Sequence, residues 1–84
     1  MNTIEQTEAW RSKRRDETLA HHYTAAVETV SAAGFGSTRL LQSQLAIGYY
    51  SATLLIEAMQ AAGMLGEFDN HLLQYELLEA RGFY

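Results

Sequence analysis

Apolar residues recur at helical spacing in three stretches of this chain. In the first, Leu19, Tyr23, Val27 and Val30 stand three or four positions apart and so share one helix face. Thr7 and Asp16 are candidate N-caps for that helix, and Gly34 is a natural stop. The second stretch is short: Ser37 or Thr38 starts it, and Leu41 and Leu45 lie one turn apart on its inner side. The third covers about residues 50–62, with Ala52, Leu55, Ile56 and Met59 in an unbroken i, i+3, i+4, i+7 stripe and Gly63 at its end. Ile47-Gly48-Tyr49 forms the turn between the last two. Two short amphipathic helices joined by a tight glycine-bearing turn, behind a longer supporting helix, make a helix-turn-helix unit.

The C-terminal pattern is compatible with two structures. Met64-Leu65 and Gln74-Tyr75-Glu76-Leu77-Leu78 read as the strands of a small β-wing, with Gly66 to Asn70 as its tip. The run from Asn70 to Gly82 reads equally as a capped helix of strong helix formers, and pattern alone does not arbitrate short apolar runs. The expected fold is mainly α: a winged-helix or helix-turn-helix domain with a long N-terminal helix and either a small β-wing or a C-terminal helix in its place. Gly34-Phe35-Gly36 reads as a turn.

Composition narrows what such a domain can do. At 84 residues the chain forms one domain with a thin core and little room for a deep substrate pocket. It has no cysteine, so a disulfide framework and a thiolate metal site are both excluded. No apolar run reaches the length of a membrane span, and the first ten residues do not form a signal peptide, which together predict a cytoplasmic protein. The net charge of −4 is unevenly spread. Residues 1–15 carry Arg11, Lys13, Arg14 and Arg15 against Glu5 and Glu8, a balance of +2; residues 16–84 carry Arg39 and Arg81 against eight acids, a balance of −6. The expected organisation is a basic helical extension over 1–15 and a single domain over 16–84. An acidic body behind a basic arm is an unusual footprint for a nucleic-acid binder.

From Tyr23 to Gly66 the chain resembles the C-terminal gamma domain of the FtsK/SpoIIIE DNA translocases. Tyr23, Ala26, Val27 and Val30 are similar to that family's supporting helix, followed by Ser37, Leu41 and Gln42. The resemblance peaks at Ile47-Gly48-Tyr49 and continues through Leu55, Ile56, Glu57, Met59 and Gly63. It implies a winged helix that reads short sequences on duplex DNA. The departures fall on the family's contact residues. Its arginines align with Ser43 and Ala46, an Asn-Arg pair with Tyr50 and Ser51, a further arginine with Leu54, and basic wing residues near Leu72 and Gln74. Each lost phosphate contact removes a counterion-release contribution, and arginine is the commonest bidentate reader of guanine. The family's G-rich site should therefore not be read by this chain. No GxxxxGK[ST] loop is present, so nothing here can drive translocation.

The candidate recognition surface is Tyr49, Tyr50, Ser51, Thr53, Leu54 and Glu57, facing away from the core stripe. The alternative is a plain solvated face, but two tyrosines and a leucine are costly to leave in water. Arg11, Lys13, Arg14 and Arg15 are candidate phosphate contacts, or else a solvated turn balanced by Asp16 and Glu17; Arg39 is a possible additional contact. His21 and His22 project about 100° apart on a helix and do not form a metal site. Trp10 reads as a packing anchor. No nucleophile–base pair, acid pair or phosphate-binding loop occurs, which predicts no enzyme activity, no cofactor, no metal and no small-molecule substrate. The leading expectation is a stand-alone winged-helix DNA-binding protein of altered specificity. The alternative is the same scaffold repurposed for protein binding, such as a phage- or plasmid-encoded inhibitor (anti-CRISPR-like) or an adaptor acting on a host protein or nucleoprotein complex, with homo-oligomers also compatible.

Overall fold

Between Thr3 and Ala33 the sequence has no glycine and no proline, and the chain takes advantage of that freedom fully. In the computed structural model, which describes residues 3–78 and the side chains of 13 and 15–78, helix α1 runs unbroken over Thr3–Ala33. Neither Thr7 nor Asp16 caps it, since both lie inside the helix. Gly34 ends it with φ +86°, a left-handed conformation in which its N–H donates to Val30 O at 2.8 Å.

Helix α2 (Thr38–Leu45) starts where Ser37, in extended conformation, accepts the Leu40 N–H through its hydroxyl at 3.3 Å. Its end is less expected. Ala46 adopts φ 54°, and the Ala46 and Ile47 N–H groups both donate to Gln42 O. The turn therefore spans Ala46 to Gly48, and helix α3 (Tyr49–Ala61) begins on Tyr49, one residue earlier than the sequence pattern suggests. Gly63, at φ +78°, carries the chain out of α3.

The C-terminal region is a wing. Strands β2 (Leu65–Asp69) and β3 (Gln74–Leu77) form an antiparallel hairpin, and a two-residue strand β1 (Phe35–Gly36) pairs with the other side of β3, giving the order β1-β3-β2. This excludes the alternative helix over 70–78; residues 79–82 of that alternative lie outside the described residues. The tip is Asn70 to Leu73 and not Gly66 to Asn70, because β2 continues through a bulge to Asp69. There Asp69 Oδ1 accepts the His71 and Leu72 N–H groups at 2.7 and 3.0 Å, a local turn that competes with helix. Phe35-Gly36, read as a turn, is strand because it pairs with Glu76 and Tyr75 of β3, and glycine suits the close approach there: a Cβ on Gly36 would sit 2.6 Å from Leu65 Cδ1.

The core is one cluster. Ala26, Val27 and Val30 of α1, Leu41 of α2, Ala52, Leu55, Ile56 and Met59 of α3, and Met64 and Leu65 at the root of the wing are buried together. Each large side chain among them contributes roughly 1.5–3 kcal/mol by leaving water. Leu19, Tyr23, Leu45, Ile47, Tyr75 and Leu77 close its rim. Gln60 Nε2 donates to Gly66 O at 2.9 Å, which ties α3 to the wing. Among the described residues no buried side-chain N or O atom lacks a hydrogen-bond partner.

Candidate nucleic-acid interface

The stripe Ala52, Leu55, Ile56 and Met59 turns one side of α3 inward, so its opposite side is what remains to meet a partner. Tyr49 is 66% and Tyr50 42% exposed, Glu57 is exposed, and Ser51 and Thr53 are half-buried. Thr53 Oγ1 donates back to Tyr49 O at 3.0 Å, which occupies its hydroxyl locally.

Leu54 does not belong to this surface. It is only 8% exposed, although it lies roughly 150° around the helix from the centre of the core stripe. The cause is α1. Ser51 lines a shallow pocket with Glu17, Thr18, His21 and His22, and Ala58 lines another with Leu19, Ala20 and Tyr23. Leu54 stands one turn from both Ser51 and Ala58, on the flank that faces this part of α1. Helix α3 is thus covered on two sides, and Leu54 is a packing residue where the sequence reading placed a contact.

The same geometry positions the basic arm. Lys13 and Arg15 are exposed on α1, three to five residues before Thr18, so they sit about 5–8 Å further along a rigid helix that passes the start of α3. The side chains of Arg11, Arg14 and Trp10 lie outside the described residues. Arg39 is exposed on α2. Ser43 and Ala46, which the resemblance aligns with arginines, are also exposed and supply no charge. The wing is acidic: between Met64 and Leu78 the chain has Glu67, Asp69 and Glu76 and neither lysine nor arginine.

The His21 and His22 rings are 6.4 Å apart, and among the described residues no group of three or more His, Asp or Glu side chains converges to hold a metal. No helix among the described residues is long and apolar enough to cross a membrane.

Three helices, a helix-turn-helix pair packed against the first of them, and a three-stranded wing define a winged-helix domain. The family model of the FtsK gamma domain matches residues 17–72, two thirds of the chain, and the protein belongs to that family. The gamma domain is a DNA-binding module and not a catalytic one. No curated protein matches the chain.

Proposed function

We propose that this protein binds duplex DNA, with the N-terminal half of α3 in the major groove and the basic arm of α1 on the flanking phosphates. The observation that carries this reading is the passage of α1 beside the start of α3, with exposed Lys13 and Arg15 on the same unbroken helix. The reading surface is Tyr49, Tyr50, Thr53 and Glu57, with half-buried Ser51 at its edge beside α1. It holds no arginine, so its preference differs from the guanine-rich site implied by the family resemblance. Tyrosine rings offer apolar contact to thymine methyl groups, and Glu57 is an acceptor suited to cytosine N4.

Affinity on this account comes from few cations, so it is weak, and its salt slope is modest, about 0.9 per phosphate contact. Titration of random-sequence duplex at low salt tests it. Neutralising Arg11, Lys13, Arg14 and Arg15 together should abolish the shift on every sequence, and neutralising any one of them should lower the salt slope by about 1. Tyr50→Ala should change the order of preferred sequences while leaving the salt slope intact. Tight binding that survives loss of the arm would refute the assignment, because the body supplies no other cluster of positive charge.

A second reading, protein binding, is favoured by one observation: the wing presents acids and exposed leucines where a phosphate contact would need cations. On this reading Tyr50→Ala lowers affinity for a protein partner and the arm contributes little.

A further inference from the structure

The wing has an outer surface that neither DNA contact nor core packing uses. Gly34, Gly66 and β3 floor a groove of about 610 Å³, walled by Phe68, Leu72 and Leu78 and by the carboxylates of Glu67, Asp69 and Glu76. Leu72 and Leu73 at the tip are 64% and 66% exposed, and Phe68 and Leu78 are exposed too. Adjacent exposed leucines on a hairpin tip leave apolar area in water, and three carboxylates beside them have no lysine or arginine within the wing. A matching surface must combine an apolar side chain with several positive charges.

The chain itself contains one such segment. Residues 10–15 hold Trp10 followed by Arg11, Lys13, Arg14 and Arg15, all on the helical backbone of α1. Within one molecule the two surfaces cannot meet. The wing joins α1 at its C-terminal end, next to Gly34, whereas residues 11–15 lie roughly 30 Å away along the same rigid helix.

We propose that a second copy of this chain lays its basic arm in the wing groove of the first, a head-to-tail contact between unlike surfaces. Such a contact is heterologous, so each molecule keeps one free arm and one free wing, and the assembly grows by addition. The groove is small, so the interface falls below the standard size and the dissociation constant lies in the range of about 10–100 µM. Opposite charges at close range make it sensitive to salt, with a screening length of roughly 10 Å at 0.1 M.

Sedimentation equilibrium of the full chain, without DNA, tests the contact and leaves the DNA reading to its own experiment. The expected result at low salt is concentration-dependent association, weakened at least about tenfold near 0.5 M salt. Leu72→Lys with Glu76→Lys should leave a folded monomer, since both side chains are exposed. Arg14→Glu with Arg15→Glu should also be monomeric. The decisive sample is the mixture: wing variant plus arm variant retains one intact arm and one intact wing, and should form a 1:1 dimer that grows no further. A wild type that stays monomeric at low salt, association untouched by either variant, or a mixture that remains monomeric would each overturn the proposal.

Discussion

Leu54→Ala separates a contact role from a packing role at the position where family resemblance and structure diverge. Leu54 is 8% exposed, and truncation removes three buried carbons, which at about 0.8 kcal/mol per carbon predicts a loss close to 2 kcal/mol. The residue stands outside the central cluster, on the flank against α1, so the space left behind can be closed by small movements or reached by water. The cavity contribution is therefore small. Leu55→Ala, at the fully buried position next to it, should cost more, about 3–4 kcal/mol, because its cavity is enclosed. A domain of this length has roughly 4–13 kcal/mol of stability, so both variants fold or sit at the margin. Urea denaturation followed by far-ultraviolet circular dichroism gives the measurement. With a slope of about 1 kcal/mol per molar, the Leu54→Ala midpoint should fall by about 2 M. On the DNA-binding proposal, folded Leu54→Ala should keep the wild-type affinity, and Leu54→Arg, which supplies the residue type that the resemblance aligns there, should destabilise without adding affinity. A Leu54→Ala midpoint equivalent to a change within about 0.5 kcal/mol, the range of ordinary surface substitutions, would show that α1 does not cover this flank.

Two further outcomes follow from local geometry. Ser37→Ala removes the acceptor for the Leu40 N–H and should cost about 1 kcal/mol in thermal or urea unfolding, with Ser37→Thr close to wild type. Leu73 holds φ 56°, a left-handed conformation that costs a leucine about 1–2 kcal/mol. Leu73→Gly should therefore raise stability by about 0.5–1 kcal/mol despite the greater freedom of the unfolded chain, and a loss of stability would show that the exposed side chain is held by contacts within the monomer.

Much of the fold is legible in the sequence because it rests on local chemistry. The stripe Ala52, Leu55, Ile56 and Met59 is a periodicity that only a helix can bury, and all four residues are buried. Ser37 and Gly63 mark helix ends by the hydrogen bond one offers and the backbone conformation the other permits. The gamma-domain family was likewise readable from Ile47-Gly48-Tyr49 and the residues after it, since most of these positions serve the turn and the core.

Tertiary structure decided the rest. Residues 70–78 have the composition of a helix, yet they form a turn and a strand, because β3 gains partners on both sides and buries Leu77 against the core rim. Gly36 is a strand residue because it pairs with Tyr75, 39 positions away, and it must be glycine because Leu65 lies against it. Leu54 was misplaced for a related reason: a single amphipathic stripe assumes one buried side, and α3 is buried on two. A signal was present in α3 itself, whose only charged residue is Glu57, since a helix that is apolar nearly all round is seldom left open to water. Periodicity reports which face of an element is apolar. Which neighbour covers a second face depends on the length and crossing of α1, and that is a property of the assembled chain.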